Sequence, residues 1–191
     1  MPEVLAKYSI KSFSALAILV SIEENSFISS SKSLVSWGAR WALKELMIDL
    51  GIDAERLIFG ENTGPQDSLR EYSFSISHSF PFCAAIISKK PVGIDLEKQG
   101  RNVEKILSKF LKEEELNLIK DGSIDGLEAF CMKEAALKTA KGKIKTLKEP
   151  IFLYSKERGG IQLDGKFQGI LFEKIKNEKC LMIASCWETT H

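Results

Sequence analysis

Helix-length and strand-length apolar patterns alternate along this chain, and that alternation is what most limits its fold. "SSSKSLVSWGARWALKELMIDLG" (residues 29–51) opens on serines able to cap a helix and closes on Gly51, a residue suited to ending one. Between those limits Leu34, Trp37, Trp41 and Leu46 recur at roughly helical spacing, which predicts an amphipathic helix. "ALAILVSI", Ala15 to Ile22, predicts a buried first strand ahead of it. A second long helix is expected over Ile124 to Lys141, and one or two short ones over Asn102 to Lys120. Short strands are expected at "RLIF", Phe74 to Ile76, Phe82 to Ile87 and "VGIDLE", then after Pro150 at "IFLY", "IQL", "FQGILFE" and "CLMIASCW". "ENTGPQDS" reads as a turn-rich loop, "SHSFP" as the loop between two strands, and "SKKP" as a connector. The fold class is α+β, in two α+β halves, 1–89 and 90–191, that meet near Lys89–Lys90.

Charge and cysteine usage narrow the function. Lys and Arg total 27 against 26 Asp and Glu, a net charge of +1 that gives no support to a broad nucleic-acid surface. Cys83, Cys131, Cys180 and Cys186 show no CxxC spacing, and three lie in apolar runs; the expectation is a reducing cytoplasmic setting with neither disulfides nor structural zinc. With His78 and His191 the only histidines, a histidine-rich metal site is excluded. The apolar run Ser12 to Ile22 follows Lys7 and Lys11 but is followed by "EENSFISSSKS", without a small-x-small cleavage pattern, and is too short to span a bilayer.

Three stretches carry chemistry. In "VGIDLEKQG" (Val92 to Gly100) the strand period of two puts Ile94 and Leu96 on one face and Asp95 and Glu97 together on the other. Two like charges side by side are unfavourable unless a cation or water screens them. That leaves two readings, a strand running out into solvent or a divalent-cation site. In "LEAFCMKEAALKTAKG" (Leu127 to Gly142), Leu127, Phe130, Glu134, Leu137 and Lys141 fall along one helical stripe. A carboxylate in a largely apolar stripe is costly unless paired or bound to metal. Lys138, four residues on, is the partner that a plain surface ion pair would use. In "FSISHS" (Phe74 to Ser79), a strand end bearing Ser77, His78 and Ser79 offers backbone N–H groups, a hydroxyl and an imidazole to an anion; the alternative is a loop histidine that caps a turn.

Taken in order, "SISHS", "VGIDLE" and "FCMKEAALK", with "FLKEEE" (Phe110 to Glu115) between the last two, resemble the 4′-phosphopantetheinyl transferases over roughly Arg40 to Lys143. The length resembles the single-chain, two-half type, named for the surfactin-synthetase activator. The resemblance implies two similar halves related by a pseudo-twofold axis, with a coenzyme A cleft between them. It implies that Asp95, Glu97 and Glu134 bind Mg²⁺, that Lys138 and Lys133 contact phosphate, that Ser77 and His78 hold the coenzyme's phosphates, and that Arg40 lies near the 3′-phosphate. Glu134 is implied as metal ligand, as the group that helps deprotonate the acceptor serine, or as both. The chain departs from the family's Gly-Lys-Pro loop, because "NTGPQ" joins Gly64 to Pro65 without a lysine; Lys32 or Lys44 stands as its replacement, or the contact is lost. The signature helix ends on "KGK" in place of Gly-x-Gly.

The implied activity is Mg²⁺-dependent transfer of 4′-phosphopantetheine from coenzyme A to a serine of an acyl- or peptidyl-carrier protein, releasing adenosine 3′,5′-bisphosphate. The expected protein is a cytoplasmic monomer with neither nucleic-acid nor membrane partners. Its rivals are a non-catalytic module binding coenzyme A or a carrier protein, and a Mg²⁺-dependent nucleotide phosphohydrolase. Carrier proteins of these pathways are acidic helical bundles. "RNVEKILSKFLK" (Arg101 to Lys112) is therefore the candidate docking segment, with Lys105, Lys109 and Lys112 on one face if it is helical; a solvated helix without a partner is the alternative.

Overall fold

The computed structural model describes residues 1–23, 31–60, 64–144, 146–148 and 151–188. The elements are β1 (Glu3–Ile10), β2 (Ala15–Ser21), α1 (Ser31–Asp49), β3 (Leu57–Gly60), β4 (Gly64–Asp67), β5 (Ser73–Ser79), β6 (Phe82–Ser88), β7 (Val92–Lys98), α2 (Leu107–Phe110), α3 (Glu113–Lys120), α4 (Gly126–Thr139), β8 (Ile151–Leu153), β9 (Arg158–Leu163), β10 (Lys166–Lys176) and β11 (Cys180–Trp187). The architecture is α+β. One antiparallel sheet has the order β1-β2-β6-β5 and carries α1; a second has the order β7-β11-β10-β9-β8 and carries α4; β3 and β4 form a separate hairpin. The chain passes from the first sheet to the second between Ser88 and Val92. No helix among the described residues is long and apolar enough to cross a membrane.

Period-two alternation explains how the central strands are buried on both faces. On β6, Cys83, Ala85 and Ile87 pack against α1, while Phe82, Ala84 and Ile86 join a core between the two sheets. Val92, Ile94 and Leu96 of β7 enter that same intersheet core beside Cys180, Met182 and Ala184 of β11. Each such aliphatic side chain contributes about 1.5–3 kcal/mol on burial. The other face of β7, bearing Asp95 and Glu97, is turned away from that core.

Several expectations from sequence are corrected. A strand, β1, precedes the expected first one; Glu3 and Lys7 lie on this edge strand, where solvent accommodates their charge. The buried face of α1 is Leu34, Val35, Ala39, Ala42, Leu43, Leu46 and Met47, whereas Trp37 is 42% exposed. Gly38 is what lets α1 settle, since a Cβ there would stand 2.7 Å from Ile22 Cδ1 and 3.0 Å from Cys83 Sγ. Gly51 ends the turn after α1 at φ +64°. The serines expected to cap that helix, Ser29 and Ser30, lie outside the described residues. Gly64 to Asp67 pairs with β3, so part of the expected loop is strand. β5 runs on through Ser79, so Ser77, His78 and Ser79 belong to the strand and not to the loop after it. Arg101 to Lys112 is no continuous helix: a 3-10 turn over Glu104–Ile106 leads into the four-residue α2, and Lys112 precedes α3.

Candidate functional site

The site is built where α4 crosses β7. A Cβ at Gly93 would stand 2.0 Å from the Ala135 carbonyl and 2.7 Å from both Thr139 N and Oγ1, so only glycine allows the two elements this close. Thr139 Oγ1 donates to Ala135 O at 3.1 Å and shares a hydrogen bond of 2.6 Å with Ser185 Oγ of β11, which ties the helix to the same sheet. Asp125 caps the other end of α4 by accepting from Glu128 N at 2.7 Å. The outcome is that Glu134 and Lys138 hang over the carboxylate face of β7.

Asp95, Glu97, Glu134 and Lys138 line one cleft of about 420 Å³, together with Ser77 and His78 of β5. Asp95 and Glu97 are only 5% and 6% exposed, so the strand does not run out into solvent. The Lys138 ammonium donates to Asp95 Oδ1 at 2.7 Å, to Ser77 Oγ at 3.0 Å and to the Ile94 carbonyl at 3.0 Å. Asp95 Oδ2 is buried and accepts no hydrogen bond. Glu97 accepts from Ser79 Oγ at 2.8 Å and is paired with Arg101, whose guanidinium also lies 5.0 Å from the centre of the Phe130 ring. Burial raises the Glu134 carboxyl above its ordinary value, and the neighbouring Asp95 charge raises it further, against Lys138 and Arg101. Burial, then Asp95, likewise pushes the Cys131 thiol up, which keeps it protonated.

The cleft extends along α4. A hollow of about 310 Å³ shares Ile76 and Lys138 with it and reaches Gly64, Pro65 and Lys141. A further hollow of about 340 Å³ shares Lys141 and is walled by Asp67, Arg70 and Tyr72. The three hollows thus adjoin along α4, with Asp95, Glu97 and Glu134 at one end and Lys141, Arg70 and Asp67 at the other.

Among the described residues, no three His, Cys, Asp or Glu side chains stand together as a ready cage for a metal. Mg²⁺ does not ask for one, because it is held by one or two carboxylates and completes its shell with water and phosphate oxygens. Asp95, whose buried Oδ2 has no hydrogen-bond partner among the described residues, and Glu134, which lines the same cleft, could supply hard oxygen donors of that kind.

One expected site residue is elsewhere. Lys133 is fully buried, 2.7 Å from Glu115 Oε1 and 2.8 Å from the Ile151 carbonyl, so it is a core residue and not a phosphate contact. Successive helical residues are turned by about 100°. With Glu134 facing the cleft, Lys133 therefore faces α3 and β8. Burial lowers its pKa, against the pull of Glu115. Arg40 is exposed on α1, one turn beyond the cleft residue Ser36, with its guanidinium 4.5 Å from the centre of the Phe59 ring. Lys44 is exposed on the same helix, and the side chain of Lys32 lies outside the described residues. Lys105 and Lys109 are exposed, while Lys112 is half-buried with its ammonium 3.5 Å from the centre of the Phe152 ring. Sequence reasoning missed Arg101 and Ser36 as part of the site, and it named Ser79 in the anion-binding stretch without seeing its bond to Glu97. The alternation of serine at Ser73, Ser75, Ser77 and Ser79 was the available signal for the hydroxyl set.

Residues 91–174, from the residue before β7 into β10, match the family model of the 4′-phosphopantetheinyl transferase superfamily. The segment contains Asp95, Glu97, Arg101, Glu134 and Lys138. Transferases of that family use coenzyme A as substrate. No curated protein matches the chain.

Proposed function

We propose that this protein transfers 4′-phosphopantetheine from coenzyme A to a serine hydroxyl of an acyl- or peptidyl-carrier protein, with Mg²⁺. The observation that carries the reading is the convergence of Asp95, Glu97, Glu134 and Lys138 on one cleft at the end of a long groove with Lys141 and Arg70 along it. In the reaction the carrier's serine oxygen bonds to the β-phosphorus of coenzyme A. The bond from that phosphorus to the bridging oxygen breaks, and adenosine 3′,5′-bisphosphate leaves with the electron pair. Asp95 and Glu134, with Glu97 beside them, would hold Mg²⁺, which supplies charge neutralisation at the pyrophosphate. Glu134 would also help to take the serine proton, directly or through a water. Lys138 brings a positive charge to the phosphate end of the cleft while steadying Asp95. His78, exposed on β5 at the cleft, would meet a phosphate group.

The test is to incubate the protein with an apo-carrier, coenzyme A and Mg²⁺ and to weigh the carrier. A mass gain of one phosphopantetheine group is expected. Asp95→Asn, Glu97→Gln and Glu134→Gln are each expected to lower turnover by about 100-fold or more with the fold intact. One observation favours a second reading, a non-catalytic binder: Lys138 and Arg101 already neutralise Asp95 and Glu97. Coenzyme A binding with no mass gain across a panel of carriers would establish that reading.

A further inference from the structure

β5 and β7 are the facing edge strands of the two sheets, and no main-chain ladder joins them among the described residues. Serine hydroxyls bridge them instead. Ser73, Ser75, Ser77 and Ser79 Oγ accept from the amides of Val92, Ile94, Leu96 and Lys98 at 3.1, 3.1, 3.2 and 3.1 Å. Each serine meets the residue nineteen positions on, so the rungs rise in step and every amide on that edge of β7 has an acceptor.

The two rungs at the cleft do more. A hydroxyl has one proton and two acceptor lone pairs. Ser77 Oγ accepts from Leu96 N and from Lys138 Nζ, and donates to Asp95 Oδ1 at 2.8 Å. Its capacity is then full. Ser79 Oγ accepts from Lys98 N and donates to Glu97 Oε2 at 2.8 Å.

We propose that Ser77 and Ser79 are positioning residues that hold the Asp95 and Glu97 carboxylates. Ser73 and Ser75 continue the same ladder and hold only the strand. The assignment rests on the proposed transferase reading in that it treats Asp95 and Glu97 as functional.

The test uses the full chain with Ser77→Ala, Ser79→Ala, Ser77→Thr and Ser73→Ala, read in three ways. Amide hydrogen exchange is followed at Val92, Leu96 and Lys98; Mn²⁺ affinity is titrated by electron paramagnetic resonance without coenzyme A; and KM for coenzyme A is separated from kcat. Ser77→Ala is expected to speed exchange at Leu96, to weaken Mn²⁺ binding and kcat by about ten-fold, and to leave KM for coenzyme A within about two-fold. Ser79→Ala is expected to do the same through Lys98, Ser77→Thr to restore what Ser77→Ala loses, and Ser73→Ala to speed exchange at Val92 while Mn²⁺ affinity stays put. A ten-fold rise in KM for coenzyme A with Mn²⁺ affinity and Leu96 exchange unchanged would overturn the proposal in favour of Ser77 as a phosphate ligand. If the unaltered protein binds no Mn²⁺ and transfers nothing, the transferase reading fails. The exchange rates at Leu96 and Lys98 then still decide whether the hydroxyls hold β7.

Discussion

The Lys138 ammonium of α4 reaches across to Asp95 of β7 and sits 2.7 Å from Oδ1, with the lysine side chain 29% and the aspartate side chain 7% exposed. One cation therefore has two tasks, steadying a nearly buried carboxylate and presenting charge to whatever enters the cleft. Replacing Lys138 with Met is expected to lower kcat/KM for transfer by about 100-fold, roughly 2.7 kcal/mol of transition-state stabilisation. Lys141→Met, one turn on and outside the lining of the carboxylate cleft, is expected to cost less than about five-fold. Equal losses in steady-state kinetics would mean that the general basicity of the helix matters and the Lys138 contact does not.

Gly93 sets the distance between α4 and β7. Gly93→Ala places a methyl 2.0 Å from the Ala135 carbonyl, a contact that rigid backbone cannot relieve without moving the helix. The expected cost is about 3 kcal/mol or more in unfolding free energy, with turnover falling further than stability alone predicts. A denaturant midpoint equal to the parent's would show that the two elements are not locked together there.

Lys133 and Glu115 form the buried ion pair that orients α4 from behind. Glu115 accepts from Lys112 N and Leu153 N at 2.7 Å each, as well as from Lys133, so α3, β8 and α4 meet at one carboxylate. Lys133→Met alone strands a buried carboxylate and is expected to cost about 3–5 kcal/mol. Pairing it with Glu115→Gln is expected to recover part of that loss, and a thermodynamic cycle of the two measures the coupling. Additive single effects would sink the pairing.

Asp67 predicts an acid limb in the stability curve. Burial alone would raise its carboxyl, but the bond from Arg56 and the amides of Tyr72, Leu69 and Glu71 outweigh burial and hold it at about 2, below the ordinary 3.8. The folded state thus binds this proton less readily than the unfolded chain. The stabilisation is complete above about pH 4 and is lost as pH falls toward about 2. Asp67→Asn is expected to be less stable than the parent at neutral pH and to converge on it in acid. A constant gap across that range, measured by urea unfolding, would assign the shift elsewhere.

Lys105 and Lys109 are exposed in the segment that follows β7, on a 3-10 turn and on α2. Double charge reversal there is expected to raise KM for an acidic carrier several-fold and to reduce its salt dependence, with KM for coenzyme A nearly unchanged. Unchanged carrier kinetics at low salt would move the docking surface to another face.

What could be read from the sequence is what local periodicity dictates. The 3.6-residue and two-residue rhythms predict α4 and β7, and the period of two alone puts Asp95 and Glu97 on one face. Those statements involve residues a few positions apart, whose relative directions are set by backbone geometry before any packing occurs. Local pattern did not reveal which face of α4 turns inward. The stripe through Leu127, Glu134 and Leu137 is the half-buried cleft face, and the fully buried face includes Lys133, a residue that looks polar until Glu115 is brought to it. The same holds for Ser73, Ser75, Ser77 and Ser79, whose alternation is visible but whose partners lie on a strand of the other sheet. Trp37 is exposed and Arg101 joins the cleft for the same reason: burial and pairing depend on which distant element lies alongside. Such neighbours are decided by the simultaneous packing of three cores, a global minimum that no short window of sequence contains.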